Sequence, residues 1–348
     1  MLDDSKVLQQ RDSLGALDAA ANLYAQAPYS AKILEPEHDN RTISNIVIAG
    51  VGNSAVAADI ARVLLRRSLP VPLEVVTTYD TPDYVGKNTL LIVIDCSGGI
   101  QESLSCINQS LLLTQQPQIA IITSGGELQQ IAIQHHIMYT LTPANTPHQT
   151  SIIYNLVSIL TVLRAFAFDT QPLLSEISTS ASWLQSESEL WLKNTPVKQN
   201  YAKQLALIAV GKTPIFYAGP LMAPVACKWK ASWNVNAKNM AFYSTYPEHN
   251  HADLIGWTSH PVEKPFAVFD LWSGLEHPKV QKSFKLSDKL LSGKRPRATI
   301  IQIQGDTLVQ QMLWGCILAD FVSIYVAILN GVNPTKIELI ERFKQDLH

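Results

Sequence analysis

Hydrophobic positions along the chain fall into two kinds of run. Short apolar blocks, Ile46–Ala49, Leu73–Thr77, Leu90–Ile94, Ile119–Thr123 and Met138–Leu141, alternate with stretches of helical period. A strand that is apolar on both faces is one covered by helices on both sides. The alternation therefore predicts buried parallel strands in a doubly wound α/β lobe over residues 40–168. Before it, Leu8, Leu14, Leu17 and Leu23 give residues 5–27 one apolar stripe that ends near Pro28. This reads as a helix packed outside the first sheet, within an N-terminal helical extension over residues 1–39. A helix over 151–168 closes the lobe, and the Gln-, Ser- and Glu-rich stretch 169–204 reads as a helical linker anchored by Trp183 and Trp191.

The pattern then repeats. Ile215–Ala218, Met240–Tyr243, Phe266–Leu271 and Thr299–Ile303 are strand candidates, and an apolar helix runs over Val309–Leu329, giving a second lobe over 205–348. Pro214-Ile215-Phe216-Tyr217-Ala218-Gly219 followed by a helix echoes Asn45-Ile46-Val47-Ile48-Ala49-Gly50 and its helix. The echo predicts two similar, duplicated lobes, so the fold class is α/β with two flavodoxin-like doubly wound parallel sheets.

Length supports two cores, since 348 residues exceed what one core comfortably fills. A net charge of −2 offers no basic face, which argues against nucleic acid and against a membrane surface as partners. Cys96, Cys106, Cys227 and Cys316 are scattered and form no CxxC pair, which fits a reducing cytoplasm. No basic start leads into an apolar core at the N-terminus, and no uninterrupted apolar run reaches about 18 residues.

In open parallel sheets a ligand sits beyond the carboxyl ends of the strands, where glycines admit it close to backbone and helix N-termini favour anions. Three loops have that position: Gly50-Val51-Gly52-Asn53-Ser54, Ser97-Gly98-Gly99 and Thr123-Ser124-Gly125-Gly126. Each alone is equally a tight turn; three in one sheet favour a small phosphorylated ligand. Gly50-x-Gly52-x-x-Ala55 also fits a dinucleotide fingerprint, but Glu74 comes too early in its strand to hold a ribose and Asp80 falls in a loop. Cys96 sits beside an apolar strand, as an inert thiol does.

These loops, together with Asn234-Val235-Asn236-Ala237-Lys238, Pro247-Glu248-His249-Asn250-His251-Ala252-Asp253 and Val326-Ala327-Ile328-Leu329-Asn330-Gly331-Val332-Asn333-Pro334, occur in the order found in bifunctional phosphoglucose/phosphomannose isomerases. The chain resembles a divergent member of that family of tandem sugar isomerase (SIS) domains over about residues 40–345. The resemblance implies a cytoplasmic homodimer that interconverts an aldose 6-phosphate and its ketose through an enediol, with no cofactor. It assigns ring opening to His251 and ligand contacts to Gly52, Asn53, Ser54, Ser97, Gly98, Gly99, Thr123, Ser124, Asn234, Asn236 and Lys238. It also exposes three departures. Val235 stands where the family carries the glutamate base, and His148 where it carries an arginine facing the enediolate. Asp95-Cys96-Ser97-Gly98-Gly99-Ile100 replaces Ser-Tyr-Ser-Gly-Asn-Thr, which puts a carboxylate beside the expected phosphate. A metal site on His249 and His251 lacks a third placed ligand. Two readings stay open: an isomerase with a degenerate active site, or a non-catalytic sugar-phosphate binding or sensing protein. Trp229, Trp233 and Trp257 are expected at the surface, lining a cleft or a dimer contact, and Ser323 or Tyr325 at the edge of the site.

Overall fold

The computed structural model describes residues 1–144, 150–258 and 265–347. The chain forms two compact units, one continuous over Ala25–Ser182 and the other joining Met1–Tyr24 to Trp183–His348.

The N-terminal stripe is not one helix but two, α1 (Ser5–Arg11) and α2 (Ala16–Ala21). Gly15 takes φ 71°, and the Asp12 carboxylate accepts the N–H groups of Ala16 and Leu17 at 2.7 and 2.9 Å, which ends one helix and starts the next. These helices belong to the discontinuous unit. Arg11 donates to the Ile328 carbonyl, Lys193 pairs with Asp18 at 2.7 Å, and Lys203 with Asp3 at 3.0 Å. The expectation that this segment packs on the first sheet is corrected accordingly: periodicity identifies an apolar face but not the surface that covers it.

The continuous unit runs β1 (Ile33–Leu34), β2 (Asn45–Ala49), α3 (Asn53–Leu65), β3 (Leu73–Val76), β4 (Thr89–Ile94), α4 (Gln101–Leu111), β5 (Gln118–Thr123), α5 (Gly126–Gln134), β6 (Met138–Leu141), α6 (Ile152–Ala165) and α7 (Gln171–Thr179). Its sheet order is β1-β6-β5-β4-β2-β3, parallel throughout except for β1, which pairs antiparallel with β6. β1 lies inside the stretch read as helical extension, and two residues are too few to carry a period. Val47, Leu91, Val93 and Ile121 pack one face of the sheet against Leu104 and Ile107 of α4 and Leu128 of α5.

The division falls within α8 (Ala181–Glu189), inside the predicted linker. Then follow α9 (Tyr201–Ala209), β7 (Thr213–Ala218), α10 (Ala223–Asn236), β8 (Phe242–Thr245), α11 (Asp253–Gly256), β9 (Phe266–Trp272), α12 (Pro278–Leu290), β10 (Thr299–Gln302), α13 (Leu308–Asn330) and α14 (Glu338–Leu347). The parallel order β10-β9-β7-β8 repeats that of β5-β4-β2-β3, in keeping with the two similar lobes read from the sequence echo.

Helix α13 is long and apolar enough to cross a membrane, yet 94% of its most apolar window is buried in the protein, the position of a core helix. It packs against α10 through a buried polar seam. Lys228 Nζ meets Asp320 Oδ1 at 2.7 Å, Ser232 donates to the same oxygen, and Trp229 Nε1 donates to the Gly315 carbonyl at 2.9 Å. Trp229, Trp233 and Trp257 are therefore core residues, not surface ones, and Ser323 and Tyr325 are fully buried on α13. Trp191 is the linker's anchor, packed edge-on against Trp314 and Phe321. Removing one partner of a buried ion pair leaves the other charge uncompensated. Asp320→Ala should cost about 3–5 kcal/mol in urea unfolding, with a smaller loss when Lys228 is also changed to Met.

Candidate functional site

In the continuous unit the strand order reverses between β2 and β4, so the crevice that an open sheet offers a ligand lies at the carboxyl ends of those two strands. The loop after β2 enters α3 through Gly52, at φ 60°; Asn53 opens the helix and Ser54 is buried in its first turn. The loop after β4 supplies Ser97, Gly98 and Gly99, and the loop after β5 supplies Thr123 and Ser124. Gly98 takes φ 70°, and a Cβ there would lie 1.9 Å from the Gly125 carbonyl oxygen, so only glycine lets the second and third loops interlock. Thr123 Oγ1 donates to the Gly125 carbonyl at 2.7 Å and Ser124 Oγ to the Cys96 carbonyl, so both hydroxyl protons are engaged within the loops. The first-lobe residues singled out in the sequence thus meet at one end of one sheet. Cys96 is buried against Ser151 and Asn155, and burial pushes its thiol pKa up, in keeping with an inert thiol.

Asp95 is the residue around which the middle loop is built. Its carboxylate is only 2% exposed and accepts from the Ser97 N–H at 2.9 Å, the Gly99 N–H at 2.8 Å, the Ile100 N–H at 2.9 Å and the Ser97 hydroxyl at 2.9–3.0 Å. Ile100 caps α4 with no side-chain hydrogen bond of its own. Asp95 meets the helix's need for negative charge from five residues upstream.

In the discontinuous unit the Asn-Val-Asn-Ala-Lys frame closes α10. Asn234 Oδ1 accepts the Ala241 N–H at 2.9 Å, Asn236 Nδ2 donates to Ser323 Oγ at 2.9 Å, and Lys238 Nζ donates to the carbonyls of Val235 and Pro334. Each polar member thus has an internal partner. Val235 is half-buried, with a side chain unable to take a proton. His251 follows a one-turn helix over Glu248–Asn250 and is exposed. His249 is its buried neighbour, with Nδ1 3.3 Å from Asp253, and burial pushes its pKa down. His148 lies outside the described residues. Among the described residues, no three His, Cys, Asp or Glu side chains converge as metal ligands would.

Residues 198–347 match the family model of the bacterial phospho-glucose isomerase C-terminal SIS domain. The chain is 26% identical over 303 residues to the bifunctional phosphoglucose/phosphomannose isomerase of Aquifex aeolicus, spanning 87% of this chain and 90% of that protein. It is 25% identical over 307 residues to its counterpart in Caldicellulosiruptor bescii, with 88% and 90% covered. Similarity to bifunctional phosphoglucose/phosphomannose isomerases thus spans most of the chain, and the match to the SIS-domain family model covers its C-terminal part. The D-glucosamine-6-phosphate 4-epimerase of Sulfolobus acidocaldarius is 29% identical over 219 residues, 62% of this chain and 64% of that one. In fold the chain superimposes on a glucose-6-phosphate isomerase like protein from Thermus thermophilus with a TM-score of 0.65 at 18% identity, covering 99% and 98% of the two chains.

Two features of this chain were not legible in its sequence. Glu276, after β9, reaches the turn that leads into α10 and accepts the Leu221 and Met222 N–H groups at 2.8 and 3.2 Å. A Cβ on Gly219 would fall 2.3 Å from the Glu276 carboxyl carbon, which explains the glycine. The available signal was Ser273-Gly274 following β9 as Ser97-Gly98 follows β4. The second feature is a polar group inside an apolar cluster: Asp270 on β9, Tyr246, His249 and Arg295 lie among Tyr217, Trp257, Val268 and Phe284. Burial raises the Asp270 carboxyl from 3.8 to about 7, against an opposing pull from Arg295. The folded protein then keeps this proton up to about pH 7, while the unfolded chain releases it near 3.8. Its favourable contribution is whole below that lower value and is lost as pH rises to about 7. Asp270→Asn should flatten that decline, so that urea unfolding finds the variant more stable than the parent at pH 8 relative to their difference at pH 4.

Proposed function

We propose that this chain recognises a hexose 6-phosphate and interconverts its aldose and ketose forms slowly, as a phosphoglucose/phosphomannose isomerase with a degenerate active site. Support for the substrate class comes from the relatives, which are named for glucose and mannose phosphates. The observation that carries the reading is the end of α10. Its frame is kept, with every polar member held, and His251 is exposed to open a sugar ring, while position 235 presents an isopropyl group instead of a proton acceptor. Loss of a positioned base typically removes about 10²- to 10⁴-fold in rate, which leaves binding and orientation as the residual catalysis.

Assembly as a homodimer belongs to the same proposal. It draws support from α14, whose Leu339, Ile340, Phe343 and Leu347 are exposed on one short helix. A reducing cytoplasmic setting agrees with four cysteines in the thiol form.

Val235 also favours a second reading, a non-catalytic sugar-phosphate binding or sensing protein. A coupled assay for fructose 6-phosphate from glucose 6-phosphate and from mannose 6-phosphate separates the two. The isomerase reading expects weak turnover that falls further in His251→Ala and rises about 10²-fold or more in Val235→Glu. Calorimetric binding of either sugar phosphate with no turnover in the parent or in Val235→Glu would leave the binding protein as the better description.

A further inference from the structure

The Asp95 carboxylate holds the donors that a phosphate at this loop would need. Three N–H groups of the loop, those of Ser97, Gly99 and Ile100, converge on its two oxygens, with the Ser97 hydroxyl as a fourth donor. The carboxylate is buried, but the loop is not: Ser97 is exposed and Gly99 and Ile100 are half-buried. The donor set therefore sits at the surface with an anion of the protein's own already inside it. The arrangement has a counterpart in the other unit. There Glu276, from the loop after β9, takes the N–H groups of the turn leading into α10 as Asp95, after β4, takes those of the turn leading into α4. Strands β4 and β9 hold the same place in their sheets, next to the first strand of the repeat.

We propose that Asp95 is a specificity-determining residue: its side chain is a built-in occupant of the first unit's anion cradle and discriminates against a phosphate at the loop over residues 97–100. Two anions cannot share one set of four donors, and a phosphate arriving there would meet the carboxylate at contact distance. The parent chain then holds a sugar ligand mainly by its uncharged groups, with the phosphate end bound weakly. This deepens the reading proposed above, from which it takes the phosphosugar as ligand; the cradle's occupancy is tested without reference to turnover.

The probe is inorganic phosphate added to the full-length ¹⁵N-labelled protein, read at the backbone amides of Gly99 and Ile100. In the parent those resonances should stay in place. In Asp95→Ser, which removes the carboxylate and leaves a hydroxyl, they should shift saturably, and glucose 6-phosphate should bind about 10- to 100-fold more tightly than to the parent while glucose binds equally to both. Asp95→Asn keeps the shape and one acceptor oxygen without the charge; it should fall between the two and decides the matter if the serine variant does not fold. Saturable shifts of equal size in parent and variant would overturn the proposal. So would unmoved amides in every folded variant. Absence of isomerase turnover, with the expected amide shifts, would remove only the catalytic reading and leave this one standing.

Discussion

A parallel sheet brings the N-termini of its crossover helices to one edge, and the first N–H groups of each helix have no partner within that helix. Something negative must meet them, whether a ligand, a cap or a side chain from elsewhere. In this protein two carboxylates lie at such helix starts and take the N–H groups of the turns leading into them, Asp95 before α4 and Glu276 before α10. The interlocked glycines of the first unit and the bare Gly219 of the second follow from the same requirement, because each makes room for a backbone or a carboxylate to come close. Such a carboxylate stabilises the local fold by giving these backbone donors a partner within the protein.

The second constraint is the seam between α10 and α13. Lys228, Ser232 and Asp320 form one buried cluster, and Asn236 joins Ser323 one helical turn along from it. The end of α10 is thereby fixed by the core, and Lys238, at φ 52°, turns the chain away while bonding back to Val235 and Pro334. The Asn-Val-Asn-Ala-Lys frame around position 235 holds the helix end in place, a structural role that does not depend on a proton acceptor at that position. Retained motif and retained chemistry are separable for this reason.

Much of the architecture was legible in the sequence. Strands buried on both faces must be apolar along their whole length, as at Ile46–Ala49 and Leu90–Ile94, and even the partly exposed edge strands β3, β8 and β10 overlap apolar runs, so nine of the ten described strands and the long core helix over Val309–Leu329 could be read from the sequence. The glycine-serine loops could be read because conformation and close approach restrict residue type. Partnership could not be read. A pattern of leucines did not reveal that the N-terminal helices join the discontinuous unit, and three tryptophans expected outside form part of the core, since an aromatic ring is compatible with both. β1 was too short to signal itself. Residue type and spacing alone were enough for the α/β class, the repeat of the two lobes and a side chain at position 235 that cannot take a proton, all of which are local properties of the chain. That Asp95 turns back into its own loop and that Glu276 crosses to the turn before α10 emerged with the folded structure, because the direction of a carboxylate is set by donors that folding brings to it.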